Sequence, residues 1–251
     1  MVEPRRCLSV VVPAYNEEAT IAHVVQQVLK LDAVAEVIVV DDCSSDRTAE
    51  IVQQLSADHP RVRLLRHEVN GGKTEALKTG FRHLRGEIVI VQDADLEYDP
   101  SEIPEVIQPI LDGNADVVYG SRFLVRKASR VLYFYHFLAN KLLTFTSNVF
   151  TNINLTDVET GYKAFRADIM RNMTITSSGF GFEIEVTAKV AKLKCAIYEV
   201  PISYYGRTYE QGKKIGPLDG VAAFWYILKY NVFCSLSSSF VELPILPSKT
   251  L

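Results

Sequence analysis

The chain has 251 residues, of which 48% are apolar, and its formal net charge is −3. This length and composition are typical of one large globular domain or two small ones and exclude wholesale disorder. The slightly acidic balance argues against general nucleic-acid binding, so nucleic acid is not an expected partner and any basic site must be local. The sequence shows no signal peptide, no run of about 18 uncharged apolar residues and no metal-binding cysteine spacing. We therefore expect a cytoplasmic protein whose four cysteines are reduced thiols.

The first half of the chain alternates short apolar strands with helices. Strands are predicted at Cys7–Pro13, Glu36–Asp42, Val62–Leu65, Glu87–Gln92 and Val117–Tyr119, and helices at Thr20–Lys30, from a cap at Ser45 or Asp46 to Leu55, at Thr74–Leu84 and at Ser101–Leu111. Because the strands are nearly continuous apolar runs, we expect them to be buried in a mostly parallel sheet with helices on both faces. The predicted fold class is therefore α/β and Rossmann-like.

The second half of the chain is richer in aromatic residues. Residues 131–153 are aromatic and apolar with scattered polar groups. A helix is predicted at Phe182–Leu193, a strand at Ala196–Tyr204 and a final apolar helix at about Leu218–Phe233. Residues 235–251 contain a run of serines and two prolines, and we expect them to form a loosely ordered tail.

Polar and acidic side chains follow three of the predicted strands. They lie in the segments Pro13–Glu17, Asp41–Asp42 and Asp93–Asp95. Ligands of parallel sheets bind at the carboxyl ends of the strands, so these segments are expected to meet at one edge. Carboxylates at 93 and 95, with Glu97 two residues further on, suit a hard cation such as Mg²⁺ or Mn²⁺ that takes its other ligands from a phosphate. The alternative is that they are loop carboxylates or helix caps.

Two further loops could contact a nucleotide. Asp41 or Asp42 could accept a hydrogen bond from a nucleobase or a ribose, and the sequence does not decide between them. The loop Asn70–Thr74 joins a strand to a helix, and Lys73 at the helix start could meet a phosphate or could simply belong to a glycine-rich turn. His67 stands where a Walker motif needs its first glycine, so a P-loop nucleotidase is a poor fit.

Two basic clusters interrupt the acidic sequence. The first contains Arg122, Arg126, Lys127 and Arg130, and the second contains Arg207, Lys213 and Lys214. Each is either a solvated face or an anion site, and arginine favours the second interpretation because it binds phosphate through two parallel hydrogen bonds.

Six motifs appear in order over about residues 7–232. They are Val12-Pro13-Ala14-Tyr15-Asn16-Glu17, Val40-Asp41-Asp42-x-Ser44-x-Asp46-x-Thr48, Asn70-x-Gly72-Lys73, Gln92-Asp93-Ala94-Asp95-Leu96-Glu97, Gly120-Ser121-Arg122 and the loop from Arg207 to Lys213-Lys214. Together they resemble the family-2 glycosyltransferases of the GT-A fold, in particular dolichyl-phosphate mannose synthases and related polyprenyl-phosphate glycosyltransferases.

The resemblance implies a role for each motif. It implies nucleotide-sugar binding by Pro13, Tyr15, Glu17, Asp41, Asp42, Lys73, Asp93, Ala94, Asp95, Arg122, Arg207 and Lys213 or Lys214. It implies that Asp93, Asp95 and Glu97 hold Mg²⁺ or Mn²⁺, and that Arg122 with Arg126 or Arg130 binds the acceptor phosphate. It also implies one GT-A catalytic domain over residues 1–234, with a nucleotide and metal half at about 1–122 and an acceptor half at about 123–234.

The chemistry implied by the resemblance is direct displacement with inversion at the sugar. The donor would be a nucleotide sugar of the GDP-mannose or UDP-glucose type, and a polyprenyl-phosphate acceptor, being an anion already, needs no strong base. Asp93, Asp95, Arg122 and Glu183 are the candidate catalytic residues. A hydroxyl acceptor would instead need a carboxylate base, for which Glu183 or Glu185 are the candidates. A third hypothesis is a non-catalytic protein that only binds a nucleotide sugar.

The aromatic segments leave the relation to a membrane open. Residues 131–153 and the helix near Phe224-Trp225-Tyr226 are expected either to lie at a membrane surface, where aromatic rings are favoured, or to pack on the sheet as core helices. The first alternative predicts a peripheral protein on the cytoplasmic face of the membrane. The sequence does not indicate a protein partner.

Overall fold

The computed structural model describes residues 6–124, 133–179, 181–206 and 217–246. Its strands are β1 Leu8–Ala14, β2 Val34–Asp41, β3 Val62–Arg66, β4 Ile88–Val91, β5 Val117–Ser121, β6 Lys163–Arg166 and β7 Ile197–Pro201. Its helices are α1 Ile21–Leu29, α2 Thr48–Asp58, α3 Lys73–Phe81, α4 Ile103–Leu111, α5 Phe134–Thr151, α6 Ala167–Asn172, α7 Phe182–Leu193, α8 Pro217–Val232 and α9 Leu236–Ser239, with a short 3-10 helix at Pro100–Glu102 before α4.

The strands form one sheet in the order β3-β2-β1-β4-β6-β5-β7. All neighbouring strands are parallel except β6, which runs antiparallel to both β4 and β5. The predicted α/β fold with a mostly parallel sheet is confirmed. Because β6 runs the other way, its amino end lies at the edge where the parallel strands have their carboxyl ends, and residues just before β6 join those just after β1, β2 and β4.

Both faces of the sheet are buried, as the apolar runs predict. Successive residues of a strand point to opposite faces, so Val10 and Val12 lie in one core cluster and Val11 lies in the other. The first cluster packs the sheet against α1, α2 and α4, and the second packs it against α3, α6 and α7. This double layer fixes the strand ends on which the candidate site is built.

Helices α5 and α8 pack on α7 and on each other, not on the sheet. In α5 the buried residues are Leu143, Thr144 and Ser147, which form a narrow contact face. The opposite face carries large apolar side chains in water, such as Phe145, which is 66% exposed, and on α8 Trp225 is 57% exposed. Within the described part of the chain, no helix is long and apolar enough to cross a membrane.

The predicted loosely ordered tail is wrong for residues 235–240. Ser235 caps α9 by accepting a hydrogen bond from the backbone N–H of Ser238, whose own hydroxyl lies 3.1 Å from the Ser235 nitrogen in return. Phe240 is buried in the second core cluster and forms a β-bridge with Met173. The serine run is therefore a helix start, and the domain continues beyond the predicted boundary at residue 234 because an aromatic anchor follows it.

Candidate active site

A cavity of about 410 Å³ opens at the edge of the sheet where the predicted acidic segments meet. Its walls come from the ends of β1, β2 and β4, the start of α3, the segment before β6, the start of α7, and single residues after β5 and β7. The lining consists of Pro13, Ala14, Tyr15, Glu17, Asp42, Asn70, Gly72, Lys73, Ala76, Asp93, Ala94, Asp95, Glu97, Tyr98, Arg122, Glu159, Gly161, Glu183 and Tyr204. Nearly all of the described residues predicted for the site therefore share one cavity, and Asp41 is the exception.

The loops after β1 and β2 are held together by side chains that bond to backbone. The hydroxyl of Ser44 accepts from the Asn16 backbone N–H at 3.0 Å, and the hydroxyl of Thr48 accepts from that of Glu17 at 2.8 Å. Asp46 accepts from the Thr48 N–H at 2.9 Å, which confirms it rather than Ser45 as the residue that caps α2. The Asn16 carbonyl oxygen accepts from the Ser45 N–H in return. This cross-bonding fixes the wall formed by Tyr15 and Glu17 before any ligand binds.

The structure gives Asp41 and Asp42 different roles. The Asp42 carboxylate accepts from the backbone N–H groups of Gly71 at 2.9 Å and Gly72 at 2.6 Å, and lies 2.7 Å from His67 Nδ1. Asp42 thereby shapes the glycine loop that leads into α3, where Gly72 has a φ of +82°. Asp41 is fully buried, and its Oδ1 has no hydrogen-bond partner among the described residues. An orphan acceptor is a candidate for a ligand N–H or O–H, so Asp41 fits the nucleoside contact better.

Asp93 and Asp95 line the cavity just beyond β4, as predicted. Asp95 Oδ1 accepts from the Glu97 backbone N–H at 3.1 Å, and the Glu97 carboxylate accepts from the Tyr204 hydroxyl at 2.8 Å. Among the described residues no three His, Cys, Asp or Glu side chains form a group able to hold a metal ion on their own. The predicted set of three protein ligands is therefore not assembled.

The site nevertheless fits a divalent cation in one respect. Mg²⁺ at a nucleotide site is usually held by one or two carboxylates and completed by substrate phosphates and water, so two aspartates are enough. Space beside them is kept by Gly161, because a Cβ at that position would lie 2.7 Å from Asp93 Oδ2. Asp93 and Asp95 remain the predicted ligands, whereas Glu97 is held toward Tyr204.

Lys73 lies between two acidic groups of the cavity. Its Nζ is 2.9 Å from Asp93 Oδ1 and 3.4 Å from Glu183 Oε1. Burial alone would lower the pKa of Lys73, but the charges of Asp93 and Glu183 outweigh it and raise that pKa above its ordinary value. Lys73 is thus a permanent cation that orients Asp93, and a nucleotide phosphate would have to share it with these carboxylates.

Arg122 is bound to a carboxylate that the sequence analysis did not single out. Its Nε and one terminal nitrogen each lie 2.7 Å from the oxygens of Asp157, which is fully buried. Burial opposes the charge of Arg122, but Asp157 raises the guanidinium pKa well above its ordinary value. The guanidinium also lies over the ring of Tyr204, 5.1 Å from its centroid. Arg122 therefore enters the cavity wall in a fixed orientation.

Glu159 is a cavity residue that sequence reasoning missed. It precedes β6, and the rule that searched the carboxyl ends of parallel strands does not cover the amino end of an antiparallel one. Burial and then the charge of Glu183 raise the pKa of Glu159 to about 7. Beneath it, Lys163 donates to the carbonyls of Val158 and Thr160, and burial lowers the pKa of Lys163 to about 8. The acidic residue two positions before a Gly in Glu159-Thr-Gly161 was the available signal.

The two glutamates proposed as a base lie in different environments. Glu183, in the first turn of α7, lines the cavity. Glu185 is fully buried on the same helix, accepts from the backbone N–H groups of Thr176 and Ser177, and is paired with Lys189. Burial raises the pKa of Glu185, but the bonds from Lys189 and Ser177 lower it overall. Glu185 is absent from the cavity lining, so its candidacy as a base is not supported.

Several predicted binding residues lie outside the described residues. They are Arg126, Lys127 and Arg130 of the first basic cluster and Arg207, Lys213 and Lys214 of the second.

Comparison with known proteins decides the family. The family model described as "Glycosyl transferase family 2" matches residues 9–174, which is more than half of the chain. The chain belongs to this family. It is a glycosyltransferase, so the alternative of a non-catalytic binding protein is not supported.

Curated relatives of this glycosyltransferase act on lipid phosphates by name. It is 30% identical to an undecaprenyl-phosphate mannosyltransferase of Micrococcus luteus, over 84% of this chain and 89% of that protein. It is also 30% identical to a dolichol-phosphate mannosyltransferase of Pyrococcus furiosus, over 88% of this chain but only 61% of that protein.

A solved structure confirms the fold. Glucosyl-3-phosphoglycerate synthase of Mycobacterium tuberculosis, in complex with Mn²⁺, UDP-glucose and phosphoglyceric acid, superposes with a TM-score of 0.68 at 22% identity. The match covers 90% of this chain and 79% of that one. At this identity the likeness establishes the GT-A architecture alone.

Proposed function

We propose that the protein transfers a hexose from a nucleotide sugar, of the GDP-mannose or UDP-glucose type, to a polyprenyl phosphate with inversion at the sugar. The observation that carries the acceptor is the junction between the cavity and α5. Arg122 lines the cavity, and its guanidinium also reaches Asn140 Oδ1 of α5 at 3.4 Å. The opposite side of α5 is apolar and exposed, so a charged head at the cavity and an apolar chain along the helix have adjacent surfaces.

The donor fits along the cavity in the order of the strand ends. The nucleoside lies at the loops after β1 and β2, near Tyr15 and the orphan oxygen of Asp41. The diphosphate lies at Asp93 and Asp95, which would hold Mg²⁺ or Mn²⁺. The bound ion would neutralise charge on the leaving diphosphate. The basic residues at 207 and 213 or 214 are proposed to add to that charge, as the resemblance implies.

The acceptor phosphate is proposed to bind at Arg122, with Arg126 or Arg130 as its second partner. A phosphate monoester is already an anion near neutral pH, so positioning it in line with the leaving group is the main requirement. The protein would then need no base at the acceptor, in contrast to transfer to a hydroxyl.

The exposed apolar faces of α5 and α8 support a peripheral position at a membrane. The large apolar residues exposed on these faces are Phe134, Tyr135, Leu138, Leu142, Phe145, Val149, Trp225, Leu228 and Val232. Apolar faces of this kind mark surfaces that contact protein or lipid. Because the acceptor is a lipid, we place them at the membrane surface, on the cytoplasmic side.

The test is a transfer assay with the purified full chain. GDP-mannose and UDP-glucose are offered with Mg²⁺ or Mn²⁺ and a polyprenyl phosphate, and the lipid product is identified by mass spectrometry. The expected result is a glycosylated lipid phosphate that forms only with metal, and none from the matching polyprenol that lacks the phosphate. Product from free sugars or glycans, with none from the lipid phosphate, would replace this acceptor by a hydroxyl, with Glu183 as the candidate base.

The membrane position has its own test. Phe145→Ser on α5 is expected to reduce sedimentation with anionic liposomes, because it removes a ring from the exposed face. Val69→Ser is the matched control, since Val69 is also exposed but lies outside α5 and α8. Equal sedimentation of both variants and the wild type would contradict the proposed face.

A further inference from the structure

Two carboxylates in the cavity have oxygen atoms that nothing in the described structure satisfies. Glu159 Oε1 and Glu183 Oε2 are buried and have no hydrogen-bond partner among the described residues. The side chain of Glu183 is only 7% exposed, and both residues line the cavity. A buried polar atom without a partner costs about 1–3 kcal/mol, so two of them facing one cavity need an explanation.

Both carboxylates lie beside the group predicted to hold the leaving diphosphate. Lys73 Nζ bridges Asp93 and Glu183, at 2.9 Å and 3.4 Å from their oxygens. Gly161, two residues after Glu159, lies against Asp93 so closely that a Cβ would meet its Oδ2 at 2.7 Å. The orphan oxygens are therefore adjacent to the site where the bond between sugar and diphosphate would break.

The chemistry of the pair selects the ligand group that it can bind. Ionised carboxylates are acceptors only, so the missing partner must supply hydrogen-bond donors. A phosphate has none to offer at neutral pH and would be repelled. A metal ion is disfavoured because the ammonium of Lys73 already lies against Glu183, and no cluster of three metal-binding side chains forms among the described residues. Hydroxyl groups of a sugar remain, since each carries an O–H donor.

We propose that Glu159 and Glu183 bind hydroxyl groups of the transferred hexose and thereby select which epimer is accepted. This inference rests on the nucleotide-sugar donor of the proposed function, but not on its lipid acceptor. A donor whose hydroxyl points away would leave a buried carboxylate oxygen unpaired. A site built to hydrogen-bond a hydroxyl discriminates strongly for this reason, whereas an apolar pocket does not.

The experiment separates the sugar from the nucleotide. Calorimetry measures binding of the nucleoside diphosphate and of its hexose derivatives, in the UDP or the GDP series that the wild type binds, to the full chain with Mg²⁺ or Mn²⁺. Glu159→Gln and Glu183→Gln are expected to weaken binding of the nucleotide sugar by roughly 10- to 100-fold. Binding of the diphosphate alone is expected to change less than about twofold, and the preference between mannose and glucose derivatives of one nucleotide is expected to narrow.

Glu185→Gln is the matched control. Glu185 lies on the same helix and is equally buried, but its carboxylate is satisfied by Thr176, Ser177 and Lys189 away from the cavity. This variant is expected to lower the melting temperature and to leave the preference between epimers unchanged. If Glu159→Gln or Glu183→Gln does not fold, deoxy-sugar donors that lack single hydroxyls test the wild type directly, and at least one must bind more weakly.

The outcomes are distinguishable. Equal weakening of diphosphate and nucleotide sugar, an unchanged epimer preference, or full binding of every deoxy donor would overturn the sugar subsite. Selective loss of sugar binding without any transfer to lipid phosphate would support the subsite and reject only the acceptor of the proposed function. Binding of neither nucleotide series would reject the donor, and the subsite with it.

Discussion

The two halves of the cavity are built in opposite ways. On the nucleotide side, the polar groups of the loops after β1 and β2 bond to one another, as Ser44 does to Asn16 and Asp42 to Gly71 and Gly72. On the other side, a buried ion pair and two orphan carboxylate oxygens face the cavity, and the helices beyond them expose apolar faces. The first side is complete without a ligand, and the second is not.

This difference follows from what each side would have to recognise. A rigid wall suits a group that is common to all donors, because binding then orders little of the protein. Unpaired acceptors suit a group that varies, because only a ligand with donors in the right places satisfies them. The predictions below test whether stability depends on the second half as strongly as this arrangement requires.

The largest effect on stability is expected for Arg122→Ala. Removing the guanidinium leaves Asp157 as a buried, uncompensated charge, which costs about 3–5 kcal/mol. Denaturant unfolding of the full chain measures the change. The double variant Arg122→Ala with Asp157→Ala should lose less than the sum of the two single variants, because it leaves no lone charge.

The matched control for this pair lies in the first half. Arg47 pairs with Glu18 at 3.3 Å, but both side chains are exposed, so Arg47→Ala is expected to cost less than about 1 kcal/mol. Similar losses for Arg47→Ala and Arg122→Ala would contradict the contrast between the two halves. The result also bears on activity assays, since a loss of transfer in Arg122→Ala counts as an acceptor effect only if the variant is folded.

The next largest effect is expected for transfer in Asp95→Ala. Loss of a carboxylate that would neutralise the diphosphate through a metal should lower turnover by roughly 100- to 1000-fold, and donor binding should no longer depend on metal. Asp58→Ala removes an exposed carboxylate at the end of α2 and serves as the control. A folded Asp95→Ala variant with wild-type turnover would show that the metal assignment is wrong.

Asp41→Asn and Asp42→Asn are expected to differ although the residues are adjacent. In Asp42→Asn an amide group faces the N–H of Gly71 or Gly72, so stability should fall by about 1–3 kcal/mol. In Asp41→Asn the unfolding free energy should change little, and nucleotide affinity should fall because a buried acceptor is altered. Unfolding and calorimetric titration of both variants measure the two effects, and the reverse assignment would follow if they were exchanged.

The sequence predicts the regular part of this site and misses what depends on tertiary pairing. Strands β1 to β5 are apolar runs whose periodicity is local, and Asp93 and Asp95 follow from the rule for parallel strand ends. Glu159 was missed because β6 runs antiparallel, which its four residues do not reveal. Asp157 was missed because its partner Arg122 is 35 residues away. The tail from Ser235 was misjudged because the burial of Phe240 is decided by a distant bridge to Met173.

The smallest expected effect concerns the pH dependence of stability. The pKa of Glu159 is about 7 in the folded chain against an ordinary value of 4.5, so between these pH values the folded state keeps a proton that the unfolded state has lost. The stability from this proton is fully present below about pH 4.5 and is lost as the pH rises through 7. The charged groups that act on Glu159 are Glu183, Lys163, Arg122 and Asp157.

Glu159→Gln should remove this dependence, because the amide imitates the protonated acid at every pH. Unfolding free energies of the wild type and the variant are therefore expected to agree at pH 5 and to diverge by pH 7.5, with the variant more stable by on the order of 1 kcal/mol. The range stops at pH 7.5 because Lys163, with a pKa of about 8, adds a slope of the opposite sign above it. Its folded pKa is lowered, so the unfolded state binds the extra proton there and stability rises with pH. Parallel curves for wild type and variant from pH 5 to 7.5 would mean that Glu159 is ionised throughout, and that the second half of the cavity tolerates both charges without a ligand.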